Sequence, residues 1–167
     1  MITTRRARRV ANGLGVAAVV GLMSYALYAQ HIVGLEACPL CILQRMAMIA
    51  LGIVFAVAAL HAPVGGGARA YAALGGLAAL TGMGISGWHV RIQNLPPSEV
   101  PACGPGFDYL MDAFGWLGGL RMIFTGSGEC AVVNWSFLGL SMPAWVFLWF
   151  VALGALVIRA NWSRITP

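Results

Sequence analysis

The sequence predicts an all-α integral membrane protein, a four-transmembrane-helix bundle with one long outer loop carrying a short amphipathic interfacial helix. Two observations carry that expectation. Apolar residues fill 60% of the 167 positions and charged residues only 9%, where a soluble domain carries about 25% charge. Four apolar stretches, at about 10–30, 42–60, 70–90 and 142–160, are each long enough to cross a hydrocarbon core of about 30 Å as a helix. Residues 1–167 thus read as a single membrane domain, with the segment at about 91–141 its only sizeable extramembrane piece.

The first span follows Arg5, Arg6, Arg8 and Arg9 and ends near Gln30. Its exit, Tyr25 to Gln30, lacks a clean small-x-small site, so an uncleaved helix is expected and not a removed signal peptide. A very short outer loop leads to Pro39, a residue suited to the first position of a helix. The turn from His61 to Gly67 is made of breaker and flexible residues. The third span carries Gly75, Gly76, Gly82, Gly84 and Gly87, which allow close helix packing within the bundle or between protomers. Pro96 and Pro97 then stop the helix. Phe107, Leu110, Met111, Phe114 and Leu117 recur at helical spacing and predict the interfacial helix, with a loop folded on the helix ends as the alternative. Trp88, Trp116, Trp135 and Trp145 fit an outer aromatic belt and Trp162 an inner one.

The formal charge of +5 comes from ten arginines against five acids, without lysine. The arginines do not form one patch, which argues against nucleic-acid binding. Arg5, Arg6, Arg8, Arg9, Arg69, Arg159 and Arg164 instead share one side of a four-helix path, and Arg45, Arg91 and Arg121 the other. The positive-inside rule puts both termini and the loop near Arg69 in the cytoplasm. All four cysteines, Cys38, Cys41, Cys103 and Cys130, then lie on the outer side, where disulfides persist.

Cys38-Pro39-Leu40-Cys41 is the most telling segment. A ring closed over two intervening residues is a poor staple, because it removes little unfolded-state entropy. A helix N-terminus and Arg45, four residues beyond Cys41, both favour a thiolate at Cys41. Redox activity is therefore the expected role, against a structural pair. Cys103 and Cys130 sit among Gly, Pro and Ser, which suits thiols that exchange partners by in-line attack; a disulfide that stabilises the loop is the alternative. No metal is expected, since 26 residues separate the second pair and the double Cys-x-x-Cys spacing of zinc sites is missing. Arg45 in an apolar helix is a costly charge and reads as functional or as snorkelling to head groups. His89, at the outer end of the third span, reads as a donor to an anionic ligand or as a plain interfacial residue.

The run Cys38-Pro-Leu-Cys41-Ile-Leu-Gln-Arg45, the stretch Trp135 to Trp145 after Cys130, and Cys103 in a Pro-Ala-Cys-Gly-Pro setting resemble the disulfide bond formation protein B (DsbB) family of membrane quinone reductases. The resemblance covers about residues 10–160. It implies a disulfide-generating thiol:quinone oxidoreductase in a bacterial inner membrane, with disulfides Cys38–Cys41 and Cys103–Cys130. It further implies that a periplasmic DsbA-like thioredoxin-fold protein attacks Cys103, that Cys130 then attacks Cys38, and that Cys41 passes electrons to a bound quinone, ubiquinone or menaquinone. Arg45, with His89, would stabilise the thiolate and the quinone. Three other readings remain. A relay reducing outer-face disulfides would need cysteines reachable from the cytoplasm. An enzyme like vitamin K epoxide reductase would place its Cys-x-x-Cys on the last helix. A purely structural membrane protein would have disulfides that resist mild reduction.

Overall fold

The computed structural model describes residues 5–63, 65–96, 98–100 and 128–162. Among them four helices are long and apolar enough to cross a membrane: α1 (Arg5–His31), α2 (Pro39–His61), α3 (Gly66–Gln93) and α4 (Met142–Trp162). Each contains the span expected from hydropathy. The interfacial helix expected around 107–117, together with Cys103, Trp116 and Arg121, lies outside the described residues.

Sequence-adjacent helices pack on one another and α1 closes against α4. The centre of the bundle is built from Leu51 and Phe55 of α2 with Phe150 and Val157 of α4, all fully buried. Within a bilayer the driving force for this contact is close van der Waals packing, which small residues permit. Gly75 and Gly82, seven residues apart on α3, receive Val157 and Phe150 of α4, and Gly15 of α1 receives the ring of Phe55. At least these two glycines of α3 therefore act inside the bundle, whereas Gly84 faces open space.

One end of the bundle is closed by buried polar groups. The Arg8 guanidinium, fully buried, donates from Nε to the Ala160 carbonyl at 3.0 Å and from Nη1 to the Pro63 carbonyl. Carbonyls at helix C-terminal ends lack intrahelical partners and carry partial negative charge, so a cation there satisfies both needs. Behind it the amides of Asn12 and Asn161 bond each other at 2.9 and 3.2 Å.

At the opposite end a small hairpin precedes α4. Strands β1 (Ser136–Phe137) and β2 (Leu140–Ser141) pair antiparallel. Their two-residue turn, Leu138-Gly139, has φ of 50° and 79°. Positive φ at both positions matches the twist of a tight hairpin, though it is unusual for leucine. Periodicity did not predict this element because two-residue strands have none. Trp145 Nε1 donates to the Phe137 carbonyl at 3.0 Å and ties the hairpin to the start of α4.

Candidate functional site

Three segments distant in sequence meet at the hairpin end. The first is the start of α2. Cys38 is its N-cap, with extended backbone, and Pro39 is the first helical residue. The Cys41 backbone N–H donates to Cys38 Sγ at 3.3 Å, and the two sulfurs lie 2.8 Å apart. A proline at this position loses no hydrogen bond, since the first-turn N–H groups have no helical partner. Cys38 is buried and Cys41 half-buried.

The second segment is the C-terminal part of α3, which brings in His89, 3% exposed. The third is a 3₁₀ turn, Gly128–Ala131, which carries a fully buried Cys130. The sulfurs of Cys38 and Cys130 and a ring nitrogen of His89 lie within 4.8 Å of one another.

The hydrogen bonds define the histidine tautomer. His89 Nε2 lies 3.2 Å from the Cys130 carbonyl. A carbonyl only accepts, so Nε2 carries the proton; in the neutral ring Nδ1 is then an acceptor. Gln44 Nε2 lies 3.0 Å from Nδ1 and donates to it. His89 thereby ties the backbone of Cys130 to α2, and its Nε2 is also 3.8 Å from Cys38 Sγ. Hydrogen bonding to Cys130, then to Cys41, together with burial, pushes the Cys38 thiol well above its ordinary range.

Beside the sulfurs is a cavity of about 130 Å³, with apolar walls that include Leu22, Met23, Met48 and Val146. Cys41, Gln44, Arg45 and His89 reach its lining, as do the acids Glu36 and Glu129. The Arg45 guanidinium donates to the Gln30 side-chain oxygen and, at 3.3 Å, to the Ala26 carbonyl of α1. Its hydrogen bonds run to α1 and not to a sulfur. Both partners are neutral, so they hold the cation at the cavity without cancelling its charge.

The fold therefore assembles five of the six residues expected to form the site: Cys38, Cys41, Cys130, Arg45 and His89. Cys103 lies outside the described residues. Sequence reasoning missed Gln44, whose signal was an amide one turn beyond Cys41 in an apolar helix. It also missed Asn12 and Asn161, polar residues inside otherwise apolar spans.

Buried, mutually accessible sulfurs at the edge of a four-helix membrane bundle, next to an apolar cavity, define a membrane thiol–disulfide oxidoreductase. The family model for disulfide bond formation protein DsbB matches residues 8–160, and the chain belongs to that family. It is 47% identical to disulfide bond formation protein B of Acinetobacter baumannii over 89% of this chain and 88% of that one. It is 49% identical to the protein of the same name from Methylococcus capsulatus, over 90% and 92%. With that of Nitrosococcus oceani it shares 50% over 81% and 80%.

Proposed function

We propose that this protein reoxidises a periplasmic DsbA-like thiol oxidase and passes the electrons to a membrane quinone. The observation that carries the reading is the approach of Cys130 to Cys38. Arriving from the loop beyond α3, Cys130 is buried against the helix-capping sulfur and tied there by His89. A structural loop disulfide needs no such meeting with a second cysteine pair.

In the resting enzyme the disulfides are Cys38–Cys41 and Cys103–Cys130. A thiolate of the reduced partner attacks Cys103, the Cys103–Cys130 bond breaks, and Cys130 leaves as a thiolate. Cys130 attacks Cys38, the Cys38–Cys41 bond breaks, and Cys41 leaves as a thiolate. The direction of this attack suits the local structure, because Cys38 is the sulfur nearest Cys130 and His89. The Cys41 thiolate then sits near the N-terminus of α2 and four residues from Arg45, both of which favour negative charge. The partner's second thiolate breaks the mixed disulfide, which leaves the partner oxidised and Cys103 a thiolate. Cys103 attacks Cys130, the Cys38–Cys130 bond breaks, and Cys38 leaves as a thiolate. Cys38 and Cys41 rejoin as two electrons and two protons depart.

The quinone supplies the apolar two-electron, two-proton acceptor that this last step requires. The cavity fits such a group: its walls are apolar, and Cys41 and Arg45 both line it. Arg45 would hold a quinone oxygen by a charge-assisted bond. His89 Nε2–H, engaged with the Cys130 carbonyl, is the other candidate donor.

The same reading orients the protein in a bacterial inner membrane. The end closed by Arg8 also carries Arg5, Arg6, Arg9, Arg69 and Arg159, which supports cytoplasmic termini and periplasmic cysteines for the whole domain, residues 1–167. The test mixes oxidised protein in detergent with quinone and a reduced DsbA-like dithiol and follows quinone absorbance. Quinone loss that disappears in both Cys41→Ser and Cys103→Ser establishes the relay. Wild-type protein that binds quinone without reducing it overturns the proposal.

A further inference from the structure

The ligand spacing absent from the sequence is supplied by the tertiary structure. Cys38, Cys130 and His89 present two sulfurs and a ring nitrogen within 4.8 Å, all three residues buried. Cys41 Sγ, 2.8 Å from Cys38 Sγ, lies outside that group of three and is the third sulfur that would swing in to join it. Three thiols and one imidazole are the Cys₃His set that zinc takes in tetrahedral sites. We propose that the site, once reduced, binds one zinc-type divalent cation through Cys38, Cys41, Cys130 and His89, and that the bound cation blocks thiol exchange.

For Cys38, Cys130 and His89 the geometry is close to what such a centre needs. Zinc–sulfur and zinc–nitrogen bonds of about 2.3 and 2.0 Å set tetrahedral edges of about 3.8 Å between sulfurs and about 3.5 Å between sulfur and nitrogen. Cys38 Sγ and His89 Nε2 stand 3.8 Å apart. Cys41 Sγ has to move about 1 Å away from Cys38 Sγ and toward Cys130 and His89, which its half-buried position allows. His89 exchanges its bond to the Cys130 carbonyl for the metal and moves its proton to Nδ1. Gln44, whose amide presents an oxygen as readily as a nitrogen, then accepts from Nδ1–H. A histidine ligand almost always has such an oriented second partner.

Each ligating thiol releases its proton to solvent, and no electron moves. Three thiolates and a dication leave one negative charge, beside Arg45 with its neutral partners. Binding requires reduced sulfurs, so the Cys38–Cys41 disulfide excludes the cation. The inhibitory part of the proposal rests on the redox cycle proposed above; the binding itself does not.

The test titrates anaerobically reduced, desalted full-length protein in detergent with Co²⁺, reading tetrahedral thiolate–cobalt absorption, and then displaces the cobalt with Zn²⁺. One Co²⁺ per chain is expected in the reduced protein and none in the oxidised protein. Cys130→Ser and His89→Gln should each weaken binding, and Gln44→Leu should weaken it about 10- to 100-fold. Cys103→Ser should leave the bands intact. Absence of the bands in reduced wild type, their survival in a Cys130→Ser/His89→Gln double variant, or a need for Cys103 overturns the site. Quinone reduction is assayed separately in metal-free protein, so intact cobalt bands without quinone reduction would support the site while removing the redox reading. Zn²⁺ added to reduced enzyme should abolish turnover; full turnover with zinc bound would overturn the inhibition.

Discussion

Gln44 is the residue through which the site's geometry is most directly tested. In Gln44→Leu the buried Nδ1 of His89 loses its donor. An unsatisfied buried polar group costs about 1–3 kcal/mol. The ring escapes by moving its proton or rotating, and either change loosens the Nε2–H bond that holds the Cys130 carbonyl. If the whole loss falls on the attack of Cys130 on Cys38, that step slows about 5- to 150-fold, at roughly tenfold per 1.4 kcal/mol. The assay is quinone reduction by a reduced DsbA-like dithiol, with acid-trapped samples run on non-reducing gels. Turnover should fall within that range. The mixed disulfide between the partner and Cys103 should form at the wild-type rate and accumulate, because its formation precedes the impaired step. Gln44→Glu can replace the amide donor to Nδ1 only as a protonated carboxyl, the form that burial at this position favours, and in that form should recover most of the rate. Wild-type turnover in Gln44→Leu, or equal losses in the Leu and Glu variants, would refute a positioning role through His89.

Four further outcomes follow from the same structure. In Cys130→Ser no Cys103–Cys130 disulfide exists for the partner to attack, so quinone reduction should stop with Cys38–Cys41 still oxidised, as counted by thiol alkylation. In Gly82→Ala a Cβ would lie under 3.0 Å from three ring atoms of Phe150, so denaturant titration in micelles should show a loss of about 1–3 kcal/mol, partly restored by adding Phe150→Leu. Arg8→Met removes the donor to the Ala160 and Pro63 carbonyls and should cost about 1.5–3 kcal/mol of stability with little change in turnover of the folded fraction. The Cys38 thiol is raised above its ordinary value of 9.0 in the folded reduced protein. Above pH 9.0 the unfolded chain therefore loses this proton first, and the stability of the reduced protein should fall as pH rises toward the higher folded value. The oxidised protein has no thiol at Cys38 to titrate and should lack this contribution, which parallel melts across pH would check.

The four spans were legible because a bilayer imposes one requirement on each helix separately, enough apolar length, and that is a local property of the chain. Helix α2 was legible down to its first residue, since Pro39 marks that position without reference to any neighbour. The glycines of α3 announced close packing but not its partner. Only the bundle decides that Gly75 and Gly82 receive Val157 and Phe150, because the partner face depends on how two helices cross. The hairpin at 136–141 escaped notice because its strands are too short to have a period.

Hydropathy and charge within the chain were enough for the membrane class, the expected orientation and the candidate chemistry of Cys38, Cys41, Cys103 and Cys130. Each follows from residue type, or from spacing within one segment. The meeting of Cys130 with Cys38, the tautomer of His89 and the part played by Gln44 belong to the tertiary structure alone. They join residues 41 to 92 positions apart, and no local pattern encodes a contact made only when α2, α3 and the loop before α4 pack together.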